Sequence, residues 1–187
     1  MITLNPFPLI AENLRTTHAL EKYSFIMNNI QNRDISTDKE LQTRFNGFYI
    51  VRRNAEWRQT FYSQFESYKT ATPTFNEILT NLYRATGRCE ASFASKLLAS
   101  LCPDMPIWDS HVLNYLGLKR KALNKDAKLE EATYLYARIV AWYKDNIQSD
   151  IYKPYIDEFD LVFPEYSWLT PTKKLDFIIW GNGRILQ

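Results

Sequence analysis

Apolar side chains recur at helical spacing along most of this chain, and the alternation of a β-strand is nearly absent. That pattern restricts the fold more than any other feature. Only five glycines occur in 187 residues, which argues against a sheet-and-turn architecture and against glycine-rich phosphate loops. The expectation is an all-α fold of about eight helices in a single helical domain. Twelve Tyr, eleven Phe and five Trp supply ample material for its interior. No apolar run of about eighteen residues occurs, so no membrane partner is expected. The N-terminal residues lack a basic stretch followed by a long apolar one, so no secretory leader is expected. Cys89 and Cys102 are the only cysteines, which favours free thiols and a cytoplasmic location, and their spacing matches no metal site.

Punctuation divides the pattern. Residues 9–31 place Leu14, Leu20, Tyr23, Ile26, Met27 and Ile30 on one helical period, with a split near Thr16-Thr17. Residues 39–69 read as helix, broken at Gly47 or Asn54. Within them Trp57, Phe61, Phe65 and Tyr68 form one stripe, a spacing far commoner for a core seam than for a base-stacking face. Thr74 and Glu77 have the spacing of a capping box, and Gly87 suits the end of that helix. An apolar helix over 91–101 is stopped by Pro103 and Pro106. The next helix opens on Asp109 and ends at Gly117. Later helices are expected over 127–147, from Pro154 to about 163, and from Thr170-Pro171 to Gly181 or Gly183.

Asp109 is the most informative position. It stands in Pro106-Ile107-Trp108-Asp109-Ser110-His111, where a stiff loop becomes a helix. An aspartate there caps the helix by accepting from a first-turn amide. The same placement also holds a carboxylate at the mouth of a cleft, as a catalytic group would need. Both readings stand at this level. The net charge of +2 is too small for a globally basic nucleic-acid binder. Local clusters exist at Arg52-Arg53, at Lys119-Arg120-Lys121 with Lys125 and Lys128, and at Lys173-Lys174 with Arg184. Each is expected to be a solvated face, and the middle one, following the Asp109 helix, is the best candidate for a DNA backbone.

Residues 86–117 resemble the centre of the helix-hairpin-helix DNA glycosylases. Ala85-Thr86-Gly87-Arg88-Cys89 is similar to the hairpin turn, 91–101 to the helix after it, and Pro106-Ile107-Trp108-Asp109 to the catalytic segment. The Asp-x-His of Asp109 and His111 is similar to the 8-oxoguanine branch. The resemblance implies two helical lobes, 1–72 with 149–187 and 73–148, about a central cleft faced by a catalytic Asp109. It implies DNA contacts from Gly87, Arg88, Cys89 and His111, with Lys119, Arg120 and Lys121 nearby. It also implies a base pocket lined by Asp176 and Trp180, four apart on the last helix; the plainer reading makes Asp176 solvated and Trp180 part of an apolar face. The sequence departs from the family pattern at Cys89, where a second glycine is usual, and at Ala91, where bifunctional members carry a nucleophilic lysine. Lys96 lies more than a helical turn further on and is a poor stand-in. The implied protein is a monofunctional DNA-repair hydrolase that uses water; the altered hairpin also fits an inactive glycosylase-like module for DNA or protein binding. No cofactor is implied, and two cysteines cannot hold a four-cysteine iron–sulfur cluster.

Overall fold

The computed structural model describes residues 3–121 and 125–185, with side chains from Ala127 onward in the second stretch. Among them the chain is helical, without strands. The helices are α1 (Phe7–Thr16), α2 (Ala19–Ile30), α3 (Lys39–Tyr49), α4 (Ala55–Tyr68), α5 (Phe75–Thr86), α6 (Ala91–Leu101), α7 (Ser110–Tyr115), α8 (Lys125–Asn146), α9 (Lys153–Val162) and α10 (Pro171–Ile185), with a 3₁₀ turn at Pro164–Tyr166. Ten helices replace the expected eight because both candidate breaks are real. The first falls at His18, in the left-handed region at φ 50°. The second follows Ile50, also left-handed at φ 54°, and Asn54 then caps α4 by accepting from the Trp57 amide at 2.9 Å.

Local chemistry fixes the other ends. Thr74 Oγ1 accepts from the Glu77 amide at 3.2 Å while Glu77 Oε2 accepts from the Thr74 amide at 2.7 Å, completing the capping box. Gly87 closes α5 at φ 67°, a conformation glycine adopts without a Cβ penalty. The aromatic stripe of α4 is core: Trp57 stacks on Phe61 at 5.1 Å, and Phe61 and Phe65 meet Phe45 of α3. Each such buried ring contributes roughly 1.5–3 kcal/mol over leaving it in water.

The last helix departs from expectation. It runs through Gly181 and Gly183 to Ile185. These glycines do not stop the helix; they let other elements approach it. A Cβ on Gly181 would stand 3.0 Å from Ile10 of α1, and one on Gly183 would collide with the His111 ring. Helix α10 accordingly packs against α1, α7 and α9. Lys173 and Lys174, expected on a wet face, are both buried, because α10 is covered on several sides.

The interior is rich in phenols. Burial pushes the hydroxyls of Tyr23, Tyr49, Tyr62, Tyr115, Tyr136 and Tyr143 above their ordinary range. These groups therefore ionise first in the unfolded chain. Their stabilisation is whole below the ordinary tyrosine value of about 10 and is lost as pH rises through it toward the folded values. The melting temperature is expected to fall steadily above about pH 10, with the buried tyrosines' share of the 295 nm tyrosinate absorbance appearing together with unfolding; a flat melting temperature across that range would contradict this account of the core.

Candidate functional site

A cavity of about 660 Å³ opens where five segments meet. Its walls come from the α1–α2 corner, the end of α3, the middle of α6, the bend before α7, and one face of α10. Asp109, His111, Asp176 and Trp180 all line it, so positions far apart in sequence share one hollow. Phe48, Phe93 and Phe177 supply further aromatic wall.

Asp109 is the N-cap of α7, and only one of its oxygens is needed for that. Oδ1 accepts from the Val112 amide at 2.9 Å. The other oxygen has no hydrogen-bond donor among the described residues. Capping therefore leaves one carboxylate oxygen unpaired on a residue that lines the cavity.

The bend that presents Asp109 is held by hydrogen bonds from three helices. Thr170, at the start of α10, donates to the Pro103 carbonyl at 2.9 Å. Tyr136 of α8 donates to the Pro106 carbonyl at 2.9 Å. The Trp108 amide donates to Ser95 Oγ of α6 at 2.8 Å, and the Ile107 amide reaches Asp176 Oδ1 of α10 at 3.5 Å. Two prolines restrict the backbone, and these partners satisfy its buried polar groups.

Asp176 is buried, not solvated. Tyr143 donates to its Oδ1 at 2.6 Å and Lys173 to its Oδ2 at 2.7 Å. Burial alone would lower Lys173, but the Asp176 carboxylate beside it holds the ammonium above its ordinary value. Both carboxylate oxygens are thus committed within the protein, and Asp176 acts as a structural node at the cavity wall. Trp180 is half-buried, with the His111 ring edge-on at 6.4 Å and the Arg184 guanidinium over its face at 5.5 Å.

Lys96, set aside in the sequence, lines the same cavity. It is only 9% exposed. Its Nζ donates to the Tyr49 carbonyl at a long 3.4 Å and lies over the rings of Tyr49 and Phe93. Burial pushes the amine below its usual range, with Asp109 pulling the other way. The sequence signal for this is weak: Ser92, Lys96 and Ser100 stand at i, i+4 and i+8, a polar stripe that reads as a wet face, and only packing shows that α6 buries Ser95, Lys96 and Ser100.

The remaining candidates lie elsewhere. Gly87, Arg88 and Cys89 form the α5–α6 turn, where the Gly87 amide donates to Tyr83 and the Arg88 amide to Thr86. Beside it a second hollow, about 410 Å³, is lined by Arg52, Arg53, Thr86 and Arg88. Glu90 neutralises part of that charge, accepting from Arg53 at 3.0 and 2.9 Å. Lys119, Arg120 and Lys121 are exposed after α7 and do not line the cavity; the Lys125 side chain lies outside the described residues. No group of three potential metal ligands comes together, and no helix is long and apolar enough to cross a membrane, among the described residues.

No protein-family model, curated protein or solved structure matches this chain.

The node at Asp176 makes a stability prediction. Asp176→Asn leaves the Lys173 ammonium buried without a counter-charge, which is expected to cost about 3–5 kcal/mol in urea unfolding. Adding Lys173→Met should recover much of that loss. Two variants equally unstable would argue against an ion-pair node.

Proposed function

We propose that this chain is a monofunctional DNA N-glycosylase of helix-hairpin-helix type, with its helices arranged as two lobes about the Asp109 cavity. The observation that carries the reading is the uncommitted Asp109 oxygen on a partly aromatic cavity, presented by a stiff, multiply anchored bend. The cavity volume lies within the range of small-molecule sites and suits an extruded nucleobase.

The chemistry follows from the carboxylate. The C1′–N bond of the nucleotide breaks heterolytically, and its electron pair leaves with the base. Positive charge develops at C1′ and the ring oxygen, and Asp109 stabilises it. Water adds to C1′, its proton passes to Asp109, and the departing base takes up a proton. No amine nucleophile is needed. His111 at the rim and the exposed Lys119, Arg120 and Lys121 are suited to hold DNA phosphates, which fix register without reading sequence.

Asp109→Asn tests the reading cleanly, because Asn caps helices about as well as Asp. The variant is expected to keep the wild-type melting temperature while base release from damaged or mismatched duplex DNA falls by about 10²–10⁴-fold. Wild-type protein should bind duplex DNA with an affinity that drops steeply with salt. DNA binding that survives with no base release by the wild type would favour an inactive DNA-binding module. The committed Gly87 and Arg88 amides at the hairpin favour that second reading, since they leave fewer free donors for a phosphate.

A further inference from the structure

The inner wall of the cavity is richer in donors than the fold needs. An ammonium has three donors and no acceptor. Lys96 has one long bond, 3.4 Å to the Tyr49 carbonyl, and no carboxylate within ion-pair distance. Its stacking on Phe93 and Tyr49 fixes where it sits but uses none of its N–H groups. Unmatched ammonium donors at this depth are costly unless something fills them, and no protein acceptor besides the Tyr49 carbonyl lies within hydrogen-bond distance of Lys96.

The surroundings narrow what can fill them. Phe48, Phe93, Phe177 and Trp180 give the cavity aromatic walls, which favour a flat ring. The nearby Lys173 is already neutralised by Asp176 at 2.7 Å, and the Asp109 carboxylate shares the cavity. Lys22 and Arg184 also line the cavity but are exposed, so at the inner wall a phosphate dianion would meet one uncommitted ammonium and one carboxylate, a poor balance for a buried anion. A neutral or weakly acidic ring with a carbonyl edge meets both requirements.

We infer that Lys96 is the specificity-determining donor of the cavity, and that it selects planar heterocycles whose inner edge carries a keto oxygen over those carrying an exocyclic amine. An amino edge would set donor against donor and leave both unpaired. A site built to hydrogen-bond one group rejects an analogue that lacks it far more strongly than an apolar pocket can. The use of nucleobases as probes rests on the base-excision reading; the donor geometry does not.

Matched pairs test this: hypoxanthine against adenine, and 4-pyrimidinone against 4-aminopyrimidine, titrated as free bases into the full chain by ligand-observed NMR. The keto member of each pair should bind about tenfold tighter, the scale of one charge-assisted hydrogen bond. Lys96→Met keeps the stem and removes the ammonium; it should bring the keto bases to the level of the amino ones without lowering the melting temperature. Lys96→Gln, which both donates and accepts, should bind both members and lose the discrimination. Equal affinities within each pair in the wild type, absence of any binding, or a preference that survives Lys96→Met would each overturn the inference. So would borohydride capture of an abasic site on Lys96, which would make the amine a nucleophile. A silent Asp109→Asn with the keto preference intact would remove the excision reading and leave this one standing.

Discussion

A carboxylate cannot leave water without partners, and Asp176 has found its partners in three different segments. Lys173 comes from its own helix, Tyr143 from α8, and the Ile107 amide from the bend before α7. The first supplies charge, and the other two carry that charge outward to elements that must stay in register. The cost of burying such a pair is several kcal/mol per ion, offset only when every oxygen is matched. That condition makes the node selective. A slip of α8 or of the bend would leave the ammonium or the carboxylate short of a partner, so alternative packings of α10 are penalised where it is most enclosed. The position of Asp109 depends on this node, because Ile107 is two residues before it.

The sequence carries the local rules well and the facing relationships poorly. Capping at Thr74 and Asp109, the end of α5 at Gly87, and the α4 aromatic seam all depend on residues within a turn or two of one another, and each appears where local chemistry puts it. Lys173-Lys174 illustrates the opposite case. Adjacent lysines read as a wet face; the counter-charge of Lys174, Asp160, becomes a partner only once α9 and α10 pack, and the Lys173–Asp176 pair, three apart on α10, gives no local sign that its helix is covered. The glycines of α10 fail as helix stops for the same reason. Their role is set by Ile10 and His111, far away in sequence. That Asp109, His111, Asp176 and Trp180 line one cavity with Lys96 depends on how α6, the bend and α10 pack, which no local spacing encodes.

Asp109 and Lys96 share the cavity yet make no ion pair. Had they closed to contact, each would have satisfied the other, and the hollow would hold a stable internal bridge of no use to a ligand. Kept apart, the carboxylate retains an acceptor and the ammonium its donors, and burial depresses the amine as expected for a charge held without direct compensation. Such unsatisfied groups reduce stability, and a rigid frame is what maintains them. Here the frame is visible: the prolines and hydrogen bonds of the bend hold Asp109, while stacking on Phe93 and Tyr49 holds Lys96. Two groups of opposite character, neither paired with the other, thus line one partly aromatic hollow, and a ligand that pairs with either one recovers part of that cost.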